Sequence, residues 1–243
     1  HLFLIDCGEG TQVQLRKNKV RFSRINHIFI SHLHGDHFFG LPGLVSTFRL
    51  LGREKPLHIY GPKGIKEAVT LLLKLGDSWT NYPLHFHELE SNDTELIFED
   101  DRVQVSTIPL VHRVYTNGFL FQGKPLPRNL DIEAVKSHGI DASQFNNIKA
   151  GKNGVTADGQ EVPNLALTFA PPLSKSYAFC SDTKYSERIV PIIKGVDVLY
   201  HESTFLESEA HSTRYKSLNL FKEEAQEILA ATSLADDGKH FEF

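Results

Sequence analysis

The sequence has no long hydrophobic run, only two cysteines and no methionine at all. A membrane-spanning helix needs about 18 consecutive apolar residues. No apolar stretch of this sequence approaches that length, so we expect no membrane-spanning segment. Cys7 and Cys180 each lie in an apolar segment and are expected to be reduced core residues, which favours a cytoplasmic location. The net charge of −4 disfavours nucleic-acid binding over the whole surface, although it leaves room for a local basic patch.

The absence of methionine is unusual, because an average composition would supply several. The sequence also begins at His1 rather than at a methionine. We therefore expect that parts of the natural chain, its N-terminus among them, are missing from this sequence. The other proportions, 40% hydrophobic and 23% charged residues over 243 positions, are those of a globular protein with a substantial core.

A dense group of metal-binding residue types follows the apolar run at 28–30. His32 and His34 alternate by two, so both can face one side at the end of a strand. Gly35 then lets the backbone turn, which aims Asp36 and His37 at a neighbouring point. Imidazole and carboxylate are ligands that zinc and other first-row metals accept. Two pairs aimed at two nearby points predict a binuclear site, and a histidine-rich surface loop is the disfavoured alternative.

Three further candidates lie at the ends of later predicted strands. His112 follows the strand near 103–108, and Asp182 follows the apolar segment 176–180. A carboxylate such as Asp182 can bridge two metals. Glu202 follows the strand near 196–200 and is a candidate acid or base.

Strands and helices alternate at both ends of the chain, and periodicity of two prevails between Leu84 and Leu110. This pattern predicts one α/β domain over residues 1–243, with two sheets packed face to face and helices outside. The segment Gly123–Asn164 is polar and has the composition of an inserted arm. Residues 122–152 hold five basic and three acidic side chains, and a solvated loop is the alternative interpretation.

Several segments together resemble the metallo-β-lactamase superfamily and, within it, the ribonuclease Z family. The histidine motif specifies the superfamily only. The family is specified by Asp-Cys-Gly-Glu-Gly-Thr-Gln at 6–12 and His-Glu-Ser-Thr-Phe at 201–205. Ser31–His37, Gly40–Leu44 and Cys180–Thr183 also match. The resemblance covers nearly the whole chain and implies a four-layer αββα sandwich with a flexible, tRNA-gripping arm inserted at about 123–164.

The resemblance implies a role for each matching position. Two zinc ions per subunit are expected, with manganese or other divalent ions as alternatives. His32, His34 and His112 would hold one ion, Asp36 and His37 the other, and Asp182 would bridge them. Asp36 and Glu202 would be the catalytic residues. In the arm, the candidate substrate-binding residues are Lys124, Arg128, Lys149 and Lys152.

The sequence departs from the family pattern in two places. Family members have a further pair of strands before the segment that starts here at Leu2, so we expect those strands to be missing. Only His211–Tyr215 remains where the family has a His-x-Thr segment, a helix, a strand and a final zinc ligand. His211 is therefore either that last ligand, which we slightly favour, or the histidine of the His-x-Thr segment.

The implied activity is removal of the 3′ trailer from precursor tRNA by attack of a metal-bound hydroxide on a phosphodiester, which leaves a 3′-hydroxyl on the tRNA. A homodimer is also implied. One alternative is a binuclear hydrolase of small phosphodiesters or thioesters, but a small substrate needs no long basic insertion. Another is a catalytically silent RNA-binding paralogue, but a silent copy has no need of Asp36 or Asp182.

Overall fold

The computed structural model describes residues 1–202. The amphipathic pattern of residues 218–231 predicts a further helix, but this segment and the candidate ligand His211 lie outside the described range. The strands of the two large sheets follow the predictions closely, because runs of alternating or continuous apolar residues define them, whereas the four short strands between residues 129 and 169 were not predicted. The strands are β1 (Phe3–Ile5), β2 (His27–Phe29), β3 (Leu57–Pro62), β4 (Leu84–Leu89), β5 (Leu96–Glu99), β6 (Val103–Pro109), β7 (Asn117–Gly123), β8 (Asn129–Leu130), β9 (Gly154–Val155), β10 (Glu161–Val162), β11 (Thr168–Phe169), β12 (Ser176–Cys180) and β13 (Val198–His201).

The helices are short, and none of those described has the length and hydrophobicity to cross a membrane. The sequence pattern predicts a helix over residues 186–193, but the helix begins only at Val190, because Pro191 is tolerated in a first turn and not in a helix interior. The helices are α1 (Thr11–Lys17), α2 (Gly35–Phe38), α3 (Leu41–Leu50), α4 (Ile65–Leu75), α5 (Ile132–Ser137), α6 (Phe145–Lys149), α7 (Asn164–Leu167) and α8 (Val190–Ile193), with single 3₁₀ turns at Phe22–Arg24 and Ala142–Gln144.

The first sheet has the order β1-β2-β3-β4 and is parallel throughout. Its strands therefore all end at the same edge, where β1 leads to Asp6 and β2 leads to His32. Ile28 and Phe29 on β2 are fully buried. This burial on both faces explains why β2 is read in the sequence as a continuous apolar run.

The second sheet has the order β13-β12-β7-β6-β5, and β12 and β13 are parallel. Three apolar clusters separate the layers. One packs α3 and α4 on the first sheet, another packs α8 on β12, and the third lies between the two sheets. Phe29 of the first sheet and Phe119 of the second meet in this middle cluster, with ring centroids 5.4 Å apart. The layers are therefore helix, sheet, sheet and helix, which confirms the predicted αββα sandwich.

The chain divides into two compact units, of which the second comprises residues 99–104 and 122–175. This second unit contains the predicted arm. The sequence pattern predicts only one helical patch there, near 132–138, and the structure has several further short helices and strands. Val135, Ile148 and Leu167 belong to its small apolar core. The buried Asn164 amide donates to the carbonyl oxygens of Ile148 and Lys152, at 2.7 Å each. The arm's flexibility, its bounds at 123–164 and the single-domain organisation stay predictions.

Candidate metal centre

The candidate ligands come from loops that follow strands of both sheets. His32 lies three residues after β2 and is fully buried. His34 has extended backbone and immediately precedes α2, so that Asp36 and His37 fall in the first turn of this helix. His112 follows β6 and Asp182 follows β12. The structure thus brings together side chains that are up to 150 positions apart, and their role as metal ligands stays a prediction.

Four of these side chains form a compact group. His32, His34, His112 and Asp182 each offer one ligand atom, and the four atoms lie within 4.8 Å of one another. Nε2 of His32 lies 2.9 Å from Nδ1 of His34 and 3.5 Å from Oδ2 of Asp182, and Nε2 of His112 lies 3.4 Å from Nδ1 of His34. Tetrahedral ligands at zinc distances would be about 3.3 Å apart. The group therefore has the donors and the spacing to hold a metal ion.

The other oxygen of Asp182 faces a second group. Oδ1 of Asp182 lies 3.5 Å from Nε2 of His37, and Nε2 of His37 lies 3.4 Å from Oδ2 of Asp36. The Asp36 side chain is 75% exposed, whereas that of His37 is 12% exposed. Asp182 is thus placed between two sets of nitrogen and oxygen donors, with one oxygen toward each.

Backbone contacts between loops hold Asp182 in this position. Its φ of +52° is in the left-handed region, which aspartate tolerates better than most residues. Thr183 fixes the next position, since its hydroxyl accepts the backbone N–H of Val111 at 3.0 Å. The backbone N–H of Thr183 donates to the Glu202 carboxylate. These bonds tie the loops that carry His112 and Asp182 to each other and to the end of β13.

Asp6, at the end of β1, orients two of the histidines. Its Oδ2 accepts a hydrogen bond from Nδ1 of His37 at 2.7 Å and another from the Ser31 hydroxyl at 2.9 Å. The same hydroxyl lies 3.0 Å from Nδ1 of His32, and Oδ1 of Asp6 accepts the Ser31 backbone N–H at 2.8 Å. Both histidines therefore present Nε2 to the cluster, as carboxylate partners of metal-binding histidines commonly arrange.

The titratable groups of the cluster differ in protonation state. Burial, and after it the charge of His37, lower the pKa of His32 to about 4, so His32 is neutral at pH 7. Burial also lowers the pKa of His37, but hydrogen bonds to Asp182 and Asp6 outweigh it and raise the value to about 10. The hydrogen bond from His37 lowers the pKa of Asp182 to about 2 against the effect of burial. A cation bound at His37 therefore replaces a proton.

Two glycines allow the turn after β1 to lie directly against the histidine loop. A Cβ on Gly8 would lie 1.8 Å from the Asp36 carbonyl oxygen, and a Cβ on Gly40 would lie 2.0 Å from the Gly8 carbonyl oxygen. The backbone N–H of Cys7 donates to the His37 carbonyl at 2.7 Å, and that of Gly40 donates to the Cys7 carbonyl at 2.9 Å. This close approach delivers Asp6 to the histidines.

Known proteins resemble the chain over most of its length. The sequence model of the family described as Anti-Pycsar protein Apyc1 matches residues 1–242. Ribonuclease Z of Bacteroides thetaiotaomicron is 49% identical over 208 residues, covering 86% of this chain and 66% of the relative. Ribonuclease Z of Parabacteroides distasonis is 39% identical over 267 residues, covering 98% of this chain and 88% of the relative. The chain belongs to the ribonuclease Z family and also to the family of the Apyc1 model.

Solved structures support the fold of this ribonuclease Z family member. Human tRNase Z, short form, superposes with a TM-score of 0.63 at 24% identity, covering 93% of this chain and 76% of that chain. The metallo-β-lactamase fold protein YhfI from Bacillus subtilis gives a TM-score of 0.51 at 13% identity, covering 88% and 64%. The fold is therefore that of the metallo-β-lactamases. The chain spans 66% of the length of the Bacteroides thetaiotaomicron relative.

The remaining predicted residues of this ribonuclease Z family member are placed as follows. Glu202 accepts from the Thr183 backbone N–H near Asp182, and its catalytic role stays a prediction. In the second unit, the Lys124 ammonium lies 2.7 Å from a Glu99 carboxylate oxygen. Arg128 donates from Nε to the Thr168 hydroxyl at 2.6 Å. Lys149 and Lys152 are exposed. Substrate binding by these four basic residues stays a prediction.

One residue of the site is absent from the sequence-based predictions. Arg113 is exposed and directly follows His112, and its Nε donates to Nε2 of His34 at 3.2 Å. The sequence signal was its adjacency to a predicted ligand. That signal is weak, because the residue beside a ligand on an extended segment normally points away from it.

Proposed function

We propose that this protein is a metal-dependent endoribonuclease that removes the 3′ trailer from precursor tRNA. The observation that carries the proposal is the position of Asp182, with one carboxylate oxygen toward three histidines and the other toward His37. A shared carboxylate between two donor sets is the arrangement of binuclear phosphodiester hydrolases. Relatives named ribonuclease Z, at 39–49% identity, supply the substrate class.

We propose two zinc ions per subunit, for which manganese or another divalent ion is the alternative. The first would be held by His32, His34 and His112, and the second by Asp36 and His37 together with His211. Asp182 would contact both. The mixture of imidazole and carboxylate donors suits zinc better than magnesium, which prefers oxygen ligands. Such a pair of ions, when bound, lowers the pKa of water toward about 7 and neutralises charge on the phosphate.

The protein's own groups then orient water and substrate. Asp36 is the exposed carboxylate of the cluster, so it is available to orient a water molecule and accept its proton. Nε2 of His37 lies 3.4 Å from Oδ2 of Asp36, and Asp6 orients the His37 ring through Nδ1. Glu202, acting through a histidine, would supply a proton to the leaving 3′-oxygen. Cleavage on the 3′ side of the discriminator base would leave a 3′-hydroxyl on the tRNA.

Binding of tRNA would involve the arm at 123–164, which lies within the second unit. Lys149 and Lys152 are exposed there and suited to phosphate contacts, whereas Lys124 and Arg128 already have partners that the RNA would have to displace. Because RNA recognition of this kind is through shape and backbone, affinity should fall as salt rises. We further propose that the protein is a cytoplasmic homodimer and that each subunit is a single metallo-β-lactamase-like domain with an inserted arm.

Single-turnover cleavage of a 3′-extended precursor tRNA, with zinc and after chelation, tests this function. We expect one metal-dependent cut at the discriminator, and sequencing of the product ends would establish the 3′-hydroxyl. The matched control is Asp36→Asn, which should bind the RNA but cleave it much more slowly. Hydrolysis of bis(p-nitrophenyl) phosphate without tRNA cleavage would instead favour a small-phosphodiester hydrolase. RNA binding without any hydrolysis would favour the silent paralogue.

A further inference from the structure

We propose that Arg113 binds a substrate phosphate at the metal centre, and that metal binding to His34 makes it available. The proposal deepens the proposed function, since the substrate phosphate would belong to the RNA. It rests on one contact, the hydrogen bond from Nε of Arg113 to Nε2 of His34 at 3.2 Å.

This contact determines where His34 carries its proton. A guanidinium is always charged and has five donors but no acceptor. Nε2 of His34 must therefore supply a lone pair, which places the ring proton of a neutral His34 on Nδ1. Nδ1 lies 2.9 Å from Nε2 of His32, which can accept that proton's hydrogen bond. The Arg113 contact thus belongs to the tautomer in which Nδ1 of His34 is protonated.

A metal ion requires the other tautomer. Nδ1 is the His34 atom that faces His32 and His112, so it is the atom that would ligate the cation. Its lone pair must then be free, and a neutral imidazole in that state carries its proton on Nε2. The N–H group on Nε2 of His34 and the N–H group on Nε of Arg113 would then point at each other over the same distance of 3.2 Å. The hydrogen bond is lost, and Arg113 needs another acceptor.

The chemistry of the site selects the new acceptor. Arg113 is exposed and adjacent in sequence to the ligand His112, so its guanidinium lies at the solvent-facing side of the cluster. Beside a bound cation, only an anion is attracted to both positive groups. The planar guanidinium matches the oxygens of a phosphate, which it can contact through two parallel hydrogen bonds. A phosphodiester group of the substrate therefore fits the released side chain.

Binding of inorganic phosphate to the metal-loaded protein, measured by calorimetry, tests this directly. Arg113→Ala should weaken phosphate binding about ten- to a hundredfold, the range for losing hydrogen bonds to a charged group. The phosphate affinity of Arg113→Lys should lie between those of Arg113→Ala and the wild type, because lysine keeps the charge but loses the paired donors. Arg16→Ala, which removes an exposed arginine of α1, is the control and should have no effect.

Metal affinity provides a readout that is independent of activity. Arg113→Ala should bind zinc as tightly as the wild type or severalfold more tightly, because it removes a positive charge beside the cation. Weaker zinc binding would contradict the proposal, since it would mean that Arg113 supports the ligand His34. Undetectable phosphate binding by the metal-loaded wild type would also contradict it.

Precursor tRNA cleavage separates this proposal from the proposed function. If the wild type cleaves the RNA and Arg113→Ala keeps the same KM, kcat and phosphate affinity, Arg113 has no such role while the function stands. If the wild type does not cleave the RNA but its phosphate affinity depends on Arg113, the function is wrong and the phosphate site stands.

Discussion

Replacing Asp6 with asparagine is expected to weaken metal binding without unfolding the protein. The Asp6 carboxylate accepts three hydrogen bonds through two oxygens, from His37, the Ser31 hydroxyl and the Ser31 backbone. An asparagine amide has nearly the same shape, and its backbone tolerates the φ of +55° at this position. However, the amide has one oxygen and one donating NH₂ group, so it cannot accept all three bonds.

Whether the substitution lowers metal affinity or stability, and by how much, depends on which of these three hydrogen bonds is lost. If the NH₂ group faces His37, the imidazole must present its Nδ1 lone pair and carry its proton on Nε2, the atom that would ligate the metal. Loss of such a partner of a metal-binding histidine typically reduces metal affinity about ten- to a hundredfold. If the amide instead keeps its oxygen toward His37, the NH₂ group faces the Ser31 N–H, and one charge-assisted bond of about 1.5–3 kcal/mol is lost from stability.

Asp197→Asn is a closely matched control. Oδ2 of Asp197 accepts both the Ser176 backbone N–H at 2.7 Å and the Ser176 hydroxyl at 2.9 Å, so this carboxylate also binds both groups of one serine but is not part of the candidate metal cluster. Competition with a chromophoric chelator would measure zinc affinity, and thermal unfolding would measure stability. We expect both variants to lose stability and only Asp6→Asn to lose zinc affinity. Zinc affinity of Asp6→Asn within twofold of the wild type, together with unchanged stability, would refute the orienting role of Asp6.

Three further predictions concern the metal ligands, a close contact and the cysteines. Asp182→Ala should abolish cleavage and lower the metal content measured by mass spectrometry, and retained turnover would contradict its shared role. Gly40→Ala should lower the free energy of unfolding, measured in denaturant titrations, by about 1–3 kcal/mol, because its Cβ would lie 2.0 Å from the Gly8 carbonyl oxygen. Gly43→Ala is the control, since its Cβ would meet only the end of a flexible side chain at 3.3 Å. Burial raises the pKa of both Cys7 and Cys180 to about 12, so iodoacetamide at pH 8 should label neither thiol until the protein unfolds, and rapid labelling of native protein would be the contrary result.

The fold was predictable because it follows from short-range patterns, and the same patterns identify the candidate metal ligands. The apolar run of β2 identifies a buried strand, and His32, His112 and Asp182 each directly follow a strand. His32 follows a strand of the first sheet, whereas His112 and Asp182 follow strands of the second, so their convergence requires the face-to-face packing of the two sheets in the αββα architecture. The resemblance to a known family then supplied the roles of individual positions.

The contacts that position the ligands were less predictable, because they depend on tertiary geometry. The tie between Arg113 and His34 joins loops of different sheets, and no periodicity marks it. The second unit was underestimated for a related reason. Its apolar core residues, such as Ile140 and Val162, are separated by polar turns, so no single window shows a helix or strand period. The buried amide of Asn164 stabilises these turns through backbone carbonyls, which a residue pattern does not reveal.

The close approach between the turn after β1 and the histidine loop means that the contiguous motif at 31–37 is not a self-contained module. Copying those seven residues into another scaffold would transfer the ligand types without the carboxylate that sets their ring orientation. A functional graft would need β1, Asp6 and the glycine-containing turn as a second, discontinuous piece, in parallel pairing with the recipient strand. Protein engineers who borrow this centre should therefore treat the pair of adjacent strands, rather than the sequence motif, as the smallest transferable unit.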